Sequence, residues 1–406
     1  MKTPSTLLAA VTLSTAVTCA GVERGIEPSL TLTGEAWRNI DGGVETGSEW
    51  NYLLDLSVTL DLAELCGGPE GGSVVIQALN GTNRGTHCFG DFTGAFNPSS
   101  NIHAEDHVRF YNLFYQQSWN DDALVMKLGQ QAADDDFMGS DYSGLFMNSA
   151  FGAMPSQVAT ALAENRCGTS AFPIFAVAAP GAFISFRPND EFFLQTGAYV
   201  GSPGEDVRGN HGFDWKINSD AGAACFYEGG WHYQWSCLPG TLKLGGTLHT
   251  GLFEDLETRN DGSVDATTRG IYSFYFIADQ ALLADDKGEP VVGAFWRCGI
   301  SPQEDRSVVS SYNDLGVAWN GPFGRADDQC GLAISHTRFG SEFLAQDWAE
   351  NLPSGETVIE VTYRAQITTW LALQGDVQWL LNPAFSETSG GSDHATVVGL
   401  RAELTF

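Results

Sequence analysis

Period-two alternation of apolar and polar side chains is the dominant pattern along this chain. Counting back from the terminus, one face carries Phe406, Leu404, Ala402, Leu400 and Val398, and the other Thr405, Glu403, Arg401 and Gly399. In a strand these sets point to opposite sides of a sheet. The rhythm recurs where Ile359, Val361, Tyr363, Ala365 and Ile367 alternate with Glu360, Thr362, Arg364, Gln366 and Thr368. It recurs where Leu371, Leu373, Val377 and Trp379 alternate with Gln374, Asp376 and Gln378. Near the start, Leu54, Leu56, Val58, Leu60 and Leu62 alternate with Asp55, Ser57, Thr59 and Asp61. Charge runs along the whole length of these polar faces. A soluble sandwich usually shows shorter strands whose charge thins toward the middle. An outer-membrane barrel turns its apolar face to lipid and its charged face to a water-filled lumen. A terminal aromatic suits the interfacial girdle of such a barrel.

The remaining chain reads as further hairpins. Strands are predicted at Ser29–Ile40, Tyr52–Leu62, Ser73–Asn80, Val108–Gln117, Ala123–Gln131, Gly181–Arg187, Glu191–Val200 and Ala223–Trp235. They continue at Thr241–Phe253, Gly270–Leu282, Val291–Ile300, Ser311–Asn320, Gly331–Phe339, Glu356–Thr368, Trp370–Leu381 and Ala395–Phe406. That is about 16 strands, an even number as single-chain bacterial barrels have. Short connections such as Thr368-Thr369 alternate with long ones such as Asn382–His394. The stretch from Ala132 to about Ala178 is the least strand-like and is large enough to fold inward. The expected fold is all-β: a transmembrane antiparallel β-barrel with an inward-folded constriction loop.

The amino terminus adds an address. Met1-Lys2, an apolar run through Leu7-Leu8-Ala9-Ala10-Val11 and the small residues Thr18-Cys19-Ala20 read as a signal peptide over residues 1–20. Residues 21–406 then form one barrel domain, and no further apolar run approaches the roughly 20 residues a membrane helix needs. Fifty acidic residues against 20 basic give a formal charge of −30, which excludes nucleic acid as a partner. Seven cysteines follow the leader: Cys66, Cys88, Cys167, Cys225, Cys237, Cys298 and Cys330. An exported chain permits disulfides, but an odd number leaves at least one thiol over, and the spacing suggests no zinc site.

Several stretches together resemble the carbohydrate-selective porins, the OprB family. They are Gln130-Gln131-Ala132-Ala133-Asp134-Asp135-Asp136-Phe137, Leu145-Phe146-Met147-Asn148-Ser149-Ala150-Phe151-Gly152 and Ala178-Ala179-Pro180-Gly181. Tyr275-Phe276-Ile277-Ala278-Asp279-Gln280, the run Glu356–Thr368, Leu380-Leu381-Asn382-Pro383 and Gly399–Phe406 complete the ordered set. The resemblance implies a 16-stranded outer-membrane porin that passes sugars by diffusion, and it suggests trimers. The cysteines and the strong acidity depart from the family pattern, whose eyelets use basic and aromatic side chains.

No GxSxG, HExxH, P-loop or GxGxxG is present, the eight histidines are scattered, and neither enzyme nor cofactor is expected. Asn260-Asp261-Gly262-Ser263-Val264-Asp265 echoes a calcium loop but lacks its distal Glu. Asp134, Asp135 and Asp136 are either a solvated loop start or pore lining, and the resemblance favours lining for at least one. Phe137, Phe146 and Phe151 are candidate sugar-stacking rings, as are Trp215, Trp231 and Trp235 in or beside a later loop, the alternative being girdle or loop-core aromatics. Lys127, Arg364, Arg401, Glu360, Asp376 and Glu403 fall on polar faces as pore-lining candidates. Asp55, Asp61, Glu360, Asp376 and Glu403 outnumber Arg364 and Arg401, so a weak cation preference is expected. The rival readings are a general porin and a secreted all-β carbohydrate-binding or hydrolytic protein.

Overall fold

A computed structural model describes residues 24–82, 92–162, 170–206, 209–260 and 266–406. The leader, the candidate calcium loop beyond Asn260, Cys88 and Cys167 lie outside the described residues. The strands are β1 (Ile26–Gly42), β2 (Gly47–Asp61), β3 (Gly72–Thr82), β4 (Val108–Trp119), β5 (Leu124–Gln131), β6 (Ala179–Phe186), β7 (Phe192–Val200) and β8 (Ala223–Trp235). They continue as β9 (Leu238–Glu254), β10 (Thr267–Ala284), β11 (Pro290–Ile300), β12 (Val309–Asn320), β13 (Gln329–Phe339), β14 (Gly355–Thr368), β15 (Leu371–Leu381) and β16 (His394–Thr405). All pair antiparallel with their sequence neighbours, and β1 closes on β16 from Thr31↔Thr405 to Gly42↔Ala395. Closure leaves no unpaired edge, which lipid would not tolerate. The terminus is zipped in: Phe406 N donates to Leu30 O at 2.8 Å, and its ring stacks on Trp370.

Connections differ between the two ends. At one end β8 and β9 are joined by Ser236 and Cys237 alone, both at positive φ (53° and 65°), the mirror-image turn that matches strand twist. At the other end lie the long connections 83–107, 132–178, 201–222 and 340–354. In outer-membrane barrels short turns face the periplasm and long loops the exterior. Trp119, Phe186, Phe192, Trp231, Trp235, Trp319 and Phe406 are exposed on the outside near the short-turn end and form a girdle. Trp231 and Trp235 thus face outward from β8, away from any solute path.

The alternating faces lie as the pattern requires. Leu56, Val361, Leu373, Trp379 and Leu400 are exposed outward, while Glu360, Thr362, Gln374, Asp376 and Gln378 point inward. One boundary differs. Leu62 opens a short helix, α1 (Leu62–Cys66), instead of ending the second strand, and Asp61 Oδ1 caps it by accepting from Glu64 N. Asp61 is therefore a helix cap at the short-turn end and drops out of the lumen charge count. Cys66, Cys225, Cys237, Cys298 and Cys330 are free thiols.

Candidate pore constriction

Residues 132–162 and 170–178 enter the barrel and pack against the inner wall. Among these described residues the regular structure is confined to single turns at Ser143–Leu145 and Ser149–Phe151 and a short helix at Pro155–Val158. Most of their backbone polar groups therefore need partners from outside the loop, because buried N–H and C=O groups are nearly always paired. The wall supplies them. Glu360 on β14 accepts from Met147 N at 2.6 Å and from Asn148 N at 2.9 Å. Asp279 on β10 accepts from Ser140 Oγ and Asp141 N, and Glu228 on β8 accepts from Met138 N and the Tyr275 hydroxyl.

Cationic and amide groups take the loop's carbonyls. Arg297 on β11 donates to Gly152 O at 2.8 Å and to Met138 O and Ala150 O at 3.3 Å, while its Nε and Nη2 also hold Asp314. Lys243 donates to Gly139 O, Gln374 to Leu145 O, and Asn101 to Phe146 O. Glycine makes the approach possible. A Cβ at Gly293 on β11 would stand 2.0 Å from the Tyr142 ring, and one at Gly299 2.4 Å from Ser156 Oγ. A second inward segment is pinned similarly: Glu356 accepts from Phe96 N, Asn97 N and Ala384 N.

The loop's aromatic rings face the wall. Phe137 is 1% exposed, stacked on Phe226 and edge-on to Phe183; Phe146 and Phe151 are 1% and 2% exposed and cluster with Phe295. Buried rings offer no face to a solute, so these three hold the loop down, which is the loop-core alternative. Glu360 and Asp376 are likewise closed off from the lumen: Glu360 is 0% exposed and accepts from the two loop amides, and Asp376 is 4% exposed and accepts from Gln378.

The open lumen is lined by other groups. The three adjacent aspartates do three different things. Asp134 accepts from Phe175 N, Asp136 pairs with Lys127 at 2.6 Å, and Asp135 is exposed to the interior. Lys127 Nζ also lies 5.3 Å from the Phe114 ring centroid and 5.1 Å from that of Phe183. Asp135 ends a hydrogen-bonded row across three strands: Gln77 Nε2 donates to both Asp55 oxygens, and Asn112 Nδ2 reaches Gln77 Oε1 and Asp135 Oδ2. Strand register sets a second arc side by side, Arg364, Gln374, Arg401 and Glu35 on β14, β15, β16 and β1. Arg364 pairs with Glu403 at 2.8 Å, and Arg401 with Glu35 at 2.5 Å and with Asn101. Both arginines remain partly open, at 16% and 12%.

Gln77, Asn112, Asn101, Lys243 and Arg297 were not singled out by the sequence pattern. Asn112 lies at a bulge where Ile76↔Leu113 gives way to Ala78↔Phe110, so alternation fails there. Arg297 is legible in hindsight as one charge in the apolar strand Ala294-Phe295-Trp296-Arg297-Cys298. Trp215 donates to Gln130 Oε1 in the 201–222 connection. His107, near the outer mouth, sits 3.4 Å from Asp206, and burial lowers its pKa.

A closed 16-strand barrel whose wall clamps an inward loop is the architecture of a channel. The family model described as the carbohydrate-selective porin, OprB family, matches residues 50–406. The chain belongs to the OprB family. It is therefore an outer-membrane porin. Porin B of Pseudomonas aeruginosa is 24% identical to it, over 95% of this chain and 88% of that protein. The high-pH structure of Pseudomonas putida OprB superposes with a TM-score of 0.79 at 19% identity, covering 94% of each chain. The outer-membrane channel DcaP of Acinetobacter baumannii shares the fold more distantly, with a TM-score of 0.53 at 9% identity, covering 94% of this chain and 97% of that one.

Proposed function

We propose that neutral sugars diffuse through this porin past Arg364 and Arg401, paired with Glu403 and Glu35, and past the adjoining row of Asp55, Gln77 and Asn112 on β2, β3 and β4, which ends at Asp135. The pairing of the charges carries the reading. Arg364–Glu403, Arg401–Glu35 and Lys127–Asp136 present donors and acceptors with little net field. A sugar hydroxyl exchanges water hydrogen bonds for such groups at low cost, whereas an ion gains little from a neutralised wall. Among the described residues Asp55 and Asp135 have no cationic partner at hydrogen-bond distance, and they support a weak cation preference, in place of the Glu360 and Asp376 counted from sequence. No covalent chemistry is part of this activity.

The trimer belongs to the same proposal. A hollow of about 400 Å³ on the outer face, lined by Leu32, Gly34, Trp50, Tyr52, Ala402 and Leu404, supports it as a seat for a second copy. Liposome swelling tests the solute reading. Neutral mono- and disaccharides should enter faster than sugar acids of equal size. Rates that follow size alone would favour a general porin. Mass measurement in mild detergent tests the trimer.

A further inference from the structure

The outside of β12, β13 and β14 changes character toward the long-loop end. Leu315, Ile334 and Ile359 form one apolar row across the three strands. The next row outward is Asn313, His336 and Thr357, and the row beyond is Ser311, Arg338 and Gly355. Asn313, His336 and Arg338 are exposed. This step from apolar to polar marks the depth at which hydrocarbon gives way to headgroups.

Charge sharpens the picture. With 20 basic residues against 50 acidic, cations are scarce. Around the outer mouth Arg109, Arg259, Arg269 and Arg306 are each paired with a carboxylate. Arg338 pairs with no carboxylate among the described residues, and the two polar rows contain no acid. Geometry adds a prepared neighbour. His336 Nδ1 lies 2.8 Å from Thr357 Oγ1, which fixes the ring. A Cβ at Gly355 would stand 3.2 Å from His336 Nε2, so the ring edge lies over that glycine, directly opposite Arg338 in register. A guanidinium, an oriented imidazole and the Asn313 amide thus share one outward face above an apolar strip.

We propose that this face docks the phosphate-bearing headgroup of an outer-leaflet lipid, its acyl chain lying along Leu315, Ile334 and Ile359. The apolar strip selects a lipid over free phosphate, and the unpaired guanidinium selects a phosphate over a neutral headgroup. The inference rests on the outer-membrane placement and is independent of which solute the pore passes.

The test is native mass spectrometry of the full barrel folded in detergent, titrated with a bisphosphorylated glycolipid, its dephosphorylated form, or inorganic phosphate. Heat-modifiable gel migration checks folding of each variant. The phosphorylated lipid should bind, the dephosphorylated form should bind more weakly, and inorganic phosphate should not bind measurably. Arg338→Ala should weaken binding by about fivefold, and Arg338→Ala with His336→Ala further. Lys287→Ala, a matched charge loss in the turn at the opposite end, should change nothing. Equal binding of the two lipid forms, unchanged binding by the folded double variant, or tight binding of phosphate alone would each overturn the proposal.

Discussion

Strands β10 and β14 belong to one closed sheet and have the same lipid on their outer sides, yet their sequences look unlike. In β14, outward Ile359 and Val361 alternate with inward Glu360, Thr362 and Arg364. In β10, outward Tyr272 and Phe274 alternate with inward Ile271, Ser273, Tyr275 and Ile277, so both sides are largely apolar. The difference is what each inner face meets. The inner face of β10 is covered by the loop and packs with Phe137, Met138 and Met154, whereas the lower part of β14 opens on water. The inner wall is therefore two surfaces: a covered one that holds the loop and an open one that meets solute. Removing a group from the covered wall should move the loop and change stability. Removing one from the open wall should change passage and leave the barrel standing.

Arg297→Met should have the largest effect. It strands Asp314, buried at 0%, and releases three loop carbonyls. Breaking a buried pair in this way costs about 3–5 kcal/mol. The unfolding temperature should fall, and single-channel conductance should rise as the loop loosens. Facing is tested next on β2. Leu56→Arg puts a charge on the lipid side at a cost of about 2–4 kcal/mol, and Ser57→Arg, on the inner side, should assemble normally. Val361→Arg should repeat the Leu56 result, but Thr362 is 2% exposed against Gln374 and is a poor inner-face control. Equal assembly of the Leu56 and Ser57 variants would mean that the register is wrong. Glu360→Ala leaves the Met147 and Asn148 amides unpaired, at about 1–3 kcal/mol each, and should raise conductance as Arg297→Met does. Arg364→Ala should cost less than about 1 kcal/mol, because its pair with Glu403 is partly solvated. Its signature should be a reversal potential shifted toward cations.

This division explains what the sequence disclosed. The four strands with clean alternation, β2, β14, β15 and β16, turn polar inner faces to open water or to the backbone groups of the inward segments, so period two separates lipid from a polar interior. All sixteen strands were still legible from turn residues and length, as at Ala223–Trp235. The inward course of residues 132–162 and 170–178 was legible from their lack of strand pattern. The roles of individual residues were not. Phe137 and Asp135 are two positions apart, and nothing local says that the ring turns to the wall and the carboxylate to the lumen. Glu360 and Glu403 both stand on inward faces, but only the packed loop shows that the first is an anchor. Leu62 continued the alternation in β2, and only the Asp61 cap shows the helix beginning there.

The central claim is that solute meets the paired charges of the open wall while the loop's rings merely hold the loop. Single-channel current through the porin in a planar bilayer, with a neutral disaccharide titrated in, tests it most directly. The native pore should show a current that falls as sugar is added. Arg364→Gln with Arg401→Gln should keep the open conductance and lose most of that block. A block of unchanged strength in the double variant would contradict the account.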